Sequence, residues 1–395
     1  MKALLQDLLV VDLSRHLPGP FAARMLANLG ARVIKIEEPR LGDPVRAAPP
    51  FRSGRSLLAE SLLSGLESVA LDLKKEGGRG VLQVLLGKAD VLLETFRPGT
   101  LTRFGLAPET LRETRPHLVI CSISGWGGSG PLADRSGHDL TYQAAAGTLA
   151  STGRTPNLPS ADLLGAWSAV AAINAALFAR ERTGEGTWID ASLFDASVVG
   201  NVTNAAASSA AAASLPTPGP LTGALPCYRV YRTSDGRLFA LAALEEKFWR
   251  SFCKEVGRPD LVSVQYRRAP EGHRDVAELM ASRTAREWAR LFVEHDLPGE
   301  VVATPEEAFS GEQAEARGLA AGTRRGVPYP AVVGGVRPTV EGGFPRLGEH
   351  TRAILSEFCP ERLEGSRRSR LASGIGPRLS LRRSLQGWVG RADQS

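Results

Sequence analysis

Three residues carry side chains suited to chemistry: Asp162, His138 and Glu245. Asp162 stands in Pro159-Ser160-Ala161-Asp162-Leu163-Leu164-Gly165, at the head of an apolar stretch that stops at Gly184. The pattern predicts a long helix with Asp162 in its first turn. Free backbone N–H groups and the positive end of the helix dipole there favour an ionised carboxylate. A fixed, ionised carboxylate is what a nucleophile or general base requires. The same position suits a plain capping residue, and this segment alone favours capping. His138, in Gly137-His138-Asp139, is a proton carrier near neutral pH or an ordinary loop histidine. Glu245, in Ala243-Leu244-Glu245-Glu246-Lys247-Phe248, reads on its own as an exposed carboxylate opening a helix.

These groups need a scaffold, and the chain of 395 residues is long enough for two domains. A hydrophobic content of 43% and a charged content of 23% describe an ordinary globular protein. The N-terminal residues lack a signal peptide's cleavage site, and no uninterrupted apolar run approaches membrane-spanning length. Cys121, Cys227, Cys253 and Cys359 are widely spaced and form no metal-binding pair, so no metal is expected. They read as reduced, buried thiols of a cytoplasmic protein. The net charge of +6 is concentrated at one end: residues 361–395 hold eight arginines against Glu361, Glu364 and Asp393. That Ser/Gly/Arg-rich tail reads as solvated and flexible, and no aromatic platform accompanies it, so no nucleic-acid partner is expected.

Residues 8–12 read as a strand, Phe21 to Asn28 as a helix and Ala31 to Glu37 as the next strand. Further strands follow at 69–73, 89–94 and 118–123, with a helix through 77–88. This alternation predicts a parallel sheet wrapped on both faces, with ligands held beyond the carboxyl ends of its strands. The loop after the first strand, Ser14-Arg15-His16-Leu17-Pro18-Gly19-Pro20, lacks Gly-x-Gly-x-x-Gly. That counts against a dinucleotide-dependent dehydrogenase, and the absence of a Walker-type glycine loop counts against nucleotide hydrolysis. Alternation around Asp235-Gly236 predicts a hairpin, followed by helices near 246–256, 275–282 and 285–294. The fold class is therefore α/β, a doubly wound parallel-sheet domain with a smaller α+β domain. The expected boundaries are 1–200 for the large domain, 201–222 for a linker and 223–326 for the small domain. Residues 327–360 return to the large domain, and 361–395 form the basic tail.

The chain resembles the family III CoA-transferases, a superfamily that includes formyl-CoA transferase and α-methylacyl-CoA racemase. The motifs run in order: Pro18-Gly19-Pro20, Gly30 to Glu37, Gly42-Asp43-Pro44-Val45-Arg46, Leu71-Asp72-Leu73-Lys74 and Phe96-Arg97-Pro98-Gly99. Ser124-Gly125-Trp126-Gly127, Gly137-His138-Asp139-Leu140, Thr183-Gly184-Glu185-Gly186 and Gly348-Glu349-His350-Thr351 complete the set. Each is weak alone; the ordered series over residues 5–358 is specific.

The resemblance places the family's catalytic Asp on Asp162. In the transferases that Asp attacks the acyl-CoA thioester and carries CoA as an aspartyl thioester to an acceptor carboxylate. In the racemases it works with a His, which falls on His138, while Glu245 falls on a Glu that orients the pair. By resemblance, coenzyme A contacts come from Arg15, His16, Leu71, Lys74, Thr95, Phe96, Arg97 and Arg103; each basic one, read singly, also suits a solvated surface charge. No cofactor is expected to be bound permanently: the coenzyme A thioester is a substrate, with a free carboxylic acid as second partner. The resemblance further implies an interlocked homodimer, with Glu245 serving the neighbour's Asp162. A catalytically degenerate paralogue that binds coenzyme A without turnover is a third expectation.

The chain departs from the family pattern at several places. Leu63-Ser64-Gly65-Leu66-Glu67-Ser68 replaces an Asn-x-x-Lys pattern, and Thr95 replaces a common Asn. Leu163 and Leu164 stand where the racemases carry glycines. Leu221-Thr222-Gly223-Ala224 is a poor counterpart of the transferases' glycine-rich flap.

Overall fold

The computed structural model describes residues 3–150, 153–210, 219–267, 270–320 and 326–361. Eight strands come first in the chain. They are β1 (Leu9–Asp12), β2 (Arg32–Glu37), β3 (Phe51–Arg52), β4 (Arg55–Ser56), β5 (Glu67–Ala70), β6 (Val91–Glu94), β7 (Val119–Ser124) and β8 (Trp188–Ser192). β3 and β4 form a short hairpin, and the other six build one sheet in the order β5-β2-β1-β6-β7-β8. Every pairing in that sheet is parallel. Parallel strands need crossover helices, and these cover both faces. Val10, Val33, Leu93 and Cys121 point into one core, with helices Pro18–Asn28 and Ser160–Thr183. Val11, Ile34, Leu92 and Ile120 point into the other, with helix Glu76–Leu86. All four cysteines are buried and free of disulfides.

The strand order reverses between β1 and β6. A crevice opens at such a switch point beyond the strand ends, so the loops after β1 and β6 are where a ligand enters. Gly19 lets the two loops close up: a Cβ there would overlap the Ser14 side chain and come within 2.8 Å of Thr95 Cγ2.

Helix Ser160–Thr183 corrects one expectation, because its length and composition do suffice to cross a membrane. In this fold it lies on β7 and β8, between helices Pro18–Asn28 and Leu193–Gly200. It buries Ala161, Ala166, Ala169, Val170, Ile173 and Leu177. Gly184, with φ of 75°, ends it.

A second core forms on an antiparallel sheet of β9 (Tyr228–Arg232), β10 (Leu238–Ala242) and β11 (Gly299–Val301), in the order β11-β10-β9. Trp249, Phe252, Trp288 and Phe292 fill it from the helices Glu246–Glu255 and Ala285–Glu294. Within the stretch read as a linker, Val202–Ala210 is helical, and residues 211–218 lie outside the described residues. The tail from residue 362 onward also lies outside them.

The stretch after Gly326 closes the exposed edge of the large sheet. Val327 N–H bonds the Ser61 carbonyl at 2.8 Å, and the Val327 carbonyl accepts from Arg24 and Asn28. On β5 the Ser68 N–H donates to His350 Nδ1 at 3.1 Å while the Ser68 carbonyl accepts the His350 N–H at 2.9 Å, and Thr351 Oγ1 accepts the Ala70 N–H at 3.0 Å. The Gly348-Glu349-His350-Thr351 motif thus caps an edge strand that would otherwise leave N–H groups open.

Candidate active site

The first turn of helix Ser160–Thr183 delivers Asp162 to the carboxyl end of the sheet. Its backbone N–H donates to Asp139 Oδ1 at 3.0 Å. Asp139 opens helix Asp139–Ala145, and its other oxygen accepts from Gln143 Nε2 at 2.6 Å. Gln143 also reaches the Leu158 carbonyl at 3.3 Å, tying the loop before Asp162 to the Asp139 helix. Burial, followed by the charge of Asp139, raises the Asp162 carboxyl to about 7. The expectation of a firmly ionised carboxylate is corrected accordingly: burial and the Asp139 charge both favour the protonated form. A carboxyl balanced near neutrality can act as acid or base, and its ionised fraction can attack a carbonyl.

Tyr142 lies on the same helix as Asp139. Burial and the Asp162 charge raise its phenol, against a smaller opposing effect from Arg97. Its ring packs edge-on to Trp126 at 4.9 Å, and Gly125 is glycine because a Cβ there would overlap the Tyr142 hydroxyl. The guanidinium of Arg135 covers Trp126 at 5.7 Å, and Arg97 bonds Ser136 Oγ at 2.9 Å. Two cations therefore stand beside the aromatic pair. Reading the sequence for chemistry selected neither Asp139 nor Tyr142; their spacing from His138 on a helix was the available signal.

His138 caps the Asp139–Ala145 helix and is exposed, with its backbone N–H on Thr141 Oγ1 at 3.0 Å. Among the described residues no hydrogen bond or ion pair joins its ring to Asp162. It lies within electrostatic reach of His16, whose imidazole is lowered by burial and then by the neighbouring cations, against Asp43. His16 holds φ of 67° and donates its N–H to Asp43 Oδ1 at 3.0 Å. Glu245 caps helix Glu246–Glu255 of the second core and is exposed. Nothing among the described residues bonds it to Asp162 of its own chain.

A small cleft of about 80 Å³, partly open to solvent, lies at the switch point between β1 and β6. Arg15, Leu71, Lys74 and Phe96, four of the expected coenzyme contacts, line it together with Ile36 and Phe104. Arg15 lies over the Phe96 ring at 5.4 Å, and its backbone N–H bonds Thr95 Oγ1 at 2.8 Å. His16, Thr95, Arg97 and Arg103 do not line this cleft, and Arg103 turns to Thr100 Oγ1 at 2.8 Å. The carboxylates of the wall are largely engaged: Glu37 pairs with Arg46 at 2.7 Å and Asp43 with Lys35 at 3.1 Å.

Lys35, fully buried on β2, also contacts Asp12 at 3.1 Å and the Ser14 carbonyl at 2.7 Å. Burial alone would lower its ammonium, yet Asp12, Asp43 and Glu37 together hold it raised. This network braces the loop that carries Arg15 and His16. Polar residues at alternate positions of a strand buried on both faces, Lys35 and Glu37, were its sequence signal.

No residue of the Leu63–Ser68 departure lines the cleft, and only Ser68 reaches its wall, donating to Glu37 Oε1 at 2.6 Å. Its Ser64 carbonyl accepts from Arg24, and Gly65 N–H bonds the Gly343 carbonyl at 3.0 Å. Leu164 is exposed and lies over Gly200.

A cleft at the strand ends and a half-buried carboxyl near neutrality together define an α/β enzyme with a site built on strand-end loops. The chain belongs to CoA-transferase family III, whose family model matches residues 5–351. It is 32% identical over 371 residues to human alpha-methylacyl-CoA racemase, covering 90% of this chain and 93% of the relative. It is 31% identical over 398 residues to succinyl-CoA:glutarate CoA-transferase of Mus musculus, covering 94% and 90%. A crystal structure of a CAIB/BAIF family protein from Brucella suis matches with a TM-score of 0.79 at 29% identity, covering 90% of this chain and 99% of that one.

Proposed function

We propose that this chain is an acyl-CoA:carboxylate CoA-transferase in which Asp162 is the carrier. An Asp162 oxygen attacks the thioester carbonyl and the C–S bond breaks, leaving an acyl-aspartyl anhydride and CoA thiolate. The thiolate attacks the aspartyl carbonyl, releasing the donor acid and forming an aspartyl-CoA thioester. An acceptor carboxylate then attacks that thioester, giving a second anhydride and CoA thiolate. Thiolate attack on its acyl carbonyl yields the new acyl-CoA and restores Asp162. The observation carrying this reading is the anchoring of Asp162 through its own N–H to Asp139, with no bond to an imidazole among the described residues. Such a carboxyl suits nucleophilic catalysis, which divides one difficult exchange into easier steps. Arg15, Lys74 and Phe96 supply charge and an apolar face for the coenzyme.

Racemisation of a 2-methylacyl-CoA by Asp162 and His138 is the second reading. The Asp162 carboxyl near 7 favours it, because proton transfer is most efficient when the pKa lies near the working pH. In that reading Glu245 of the neighbouring chain in a homodimer would orient the pair. Incubation with a 2-methylacyl-CoA and a free carboxylic acid in heavy water separates the two by mass spectrometry. CoA appearing on the free acid without α-deuterium, abolished in Asp162→Ala, supports the transferase. Deuterium at the α-carbon, lost in His138→Ala, supports the racemase and overturns the first reading. Coenzyme A binding with neither product across an acyl-CoA panel supports a degenerate paralogue.

A further inference from the structure

Glu94 ends β6, the strand on one side of the switch point, and is almost fully buried. One carboxyl oxygen accepts the Phe96 N–H at 2.6 Å, and Glu94 stands opposite Ser122 of β7 in the sheet register. Ser122 in turn accepts the Trp188 indole N–H from β8 at 3.2 Å. The carboxyl thus ties the end of β6 to the turn that leaves the sheet.

That turn holds three of the expected coenzyme contacts. Thr95 Oγ1 receives the Arg15 N–H, the Phe96 ring lies under the Arg15 guanidinium, and Arg97 reaches Ser136. Each contact depends on the turn's backbone path. Glu94 is the group that fixes this path at Phe96.

A buried carboxylate without a cation is costly, and this one has none. Among the described residues no Lys, Arg or His bonds or pairs with Glu94. The charged and titratable groups that face it are Asp190 on β8, which adds negative charge, and the Cys121 thiol on β7. Burial accordingly raises its carboxyl to about 7. The Phe96 N–H, which donates to it, and the nearby Ser122 hydroxyl, which lowers it, are its compensation.

We propose that Glu94 is the positioning residue of the coenzyme turn, holding Thr95 and Phe96 against the loop after β1 through its bond to the Phe96 N–H. The inference rests on the reading that the switch-point cleft takes coenzyme A. It adds a residue that touches neither the coenzyme nor the reacting atoms.

Glu94→Gln keeps the side chain's shape but turns a donor toward Ser122. The test measures amide exchange at Phe96 by NMR, coenzyme A binding by calorimetry, and steady-state kinetics. In Glu94→Gln, Phe96 exchange should quicken about tenfold and the coenzyme A Kd and the KM should rise about fivefold or more, with kcat held within about twofold. Glu94→Asp, which keeps the charge, should recover part of the affinity. Unchanged Phe96 exchange in Glu94→Gln overturns the inference whether or not coenzyme A binds. Faster exchange with unchanged affinity overturns it while leaving the proposed function standing. A loss confined to kcat moves Glu94 into the chemistry and overturns the positioning role. Failure of the wild-type enzyme to bind coenzyme A sinks the proposed function and this inference together.

Discussion

The carboxylate of Asp139 takes the backbone N–H of Asp162 at 3.0 Å, so one carboxylate anchors the residue whose carboxyl it also helps keep protonated. The two effects oppose each other at the level of catalysis. Anchoring fixes the nucleophile, while the added negative charge reduces its ionised fraction at neutral pH. Asp139 therefore tunes Asp162 besides holding it.

Asp139→Asn separates these effects. The Asn carbonyl oxygen can still accept the Asp162 N–H, but the charge is gone. Because burial is the larger cause, the Asp162 carboxyl should fall only partly from about 7, and the acidic limb of the kcat profile should move to lower pH by up to about one unit. A pH–rate profile of the variant checks this. An unmoved limb would show that Asp162 does not govern the observed rate or does not feel Asp139.

Asp162 also has a thermodynamic signature. Its folded-state pKa of about 7 lies above the ordinary 3.8, so folding favours the protonated form. Ionisation then costs stability: the penalty is absent below pH 3.8, grows as pH rises and is complete above about 7. Asp162→Asn removes the penalty. The variant should be more stable than wild type by about 1–3 kcal/mol at pH 8 and by almost nothing at pH 4, while losing activity. Thermal melts at the two pH values measure the difference. An equal gain at both would point to altered packing in place of a relieved charge.

The fold and the site were readable in the sequence to different depths. The five large-sheet strands from residue 8 to 124 announce themselves through runs such as Val33-Ile34 and Val91-Leu92-Leu93, because central parallel strands are apolar on both faces, whereas the short hairpin of β3 and β4 went unread. β8 escaped notice since an edge strand can expose Trp188 and Asp190, which breaks the run. Helix Val202–Ala210 hid in an alanine-rich stretch: alanine favours helix without supplying apolar periodicity. At the site, Asp162 and four cleft residues were visible through their motifs. The ionisation state of Asp162 was not, because it depends on burial created by distant parts of the chain. The bond from Asp162 to Asp139, 23 positions apart, was hidden for the same reason.

The cleft makes a prediction about affinity. Arg15 and Lys74 line it, and neither lies beside Asp162. Arg15→Ala and Lys74→Ala should each raise the KM for acyl-CoA about tenfold, and kcat should stay within about twofold, since in the proposed reading these cations meet phosphate in ground state and transition state alike. Raising ionic strength should weaken wild-type binding more than binding to the variants. Steady-state kinetics at two salt concentrations provide the check. A fall in kcat with unchanged KM would remove the cleft from coenzyme binding.

The last prediction concerns the closure of the large sheet. Ser68 Oγ donates to Glu37 Oε1 at 2.6 Å and accepts the Gly348 N–H at 2.8 Å. One buried hydroxyl therefore joins the wall of the cleft to the returning chain. Burial would raise Glu37, but its bonds to Arg46, the charge of Lys35 and the Ser68 hydroxyl outweigh that and hold it lowered. Ser68→Ala removes one donor from Glu37 and leaves the Gly348 N–H without an acceptor. The expected loss is about 1–3 kcal/mol of stability, together with faster proteolysis near Gly348. Ser356→Ala is the control: its exposed hydroxyl only back-bonds the Arg352 carbonyl at 3.0 Å. That change should stay within about 0.5 kcal/mol. Denaturant melts and limited proteolysis compare the two. Equal stability of both variants would mean that the returning segment is held by its backbone bonds to β5 and that Ser68 adds nothing to them.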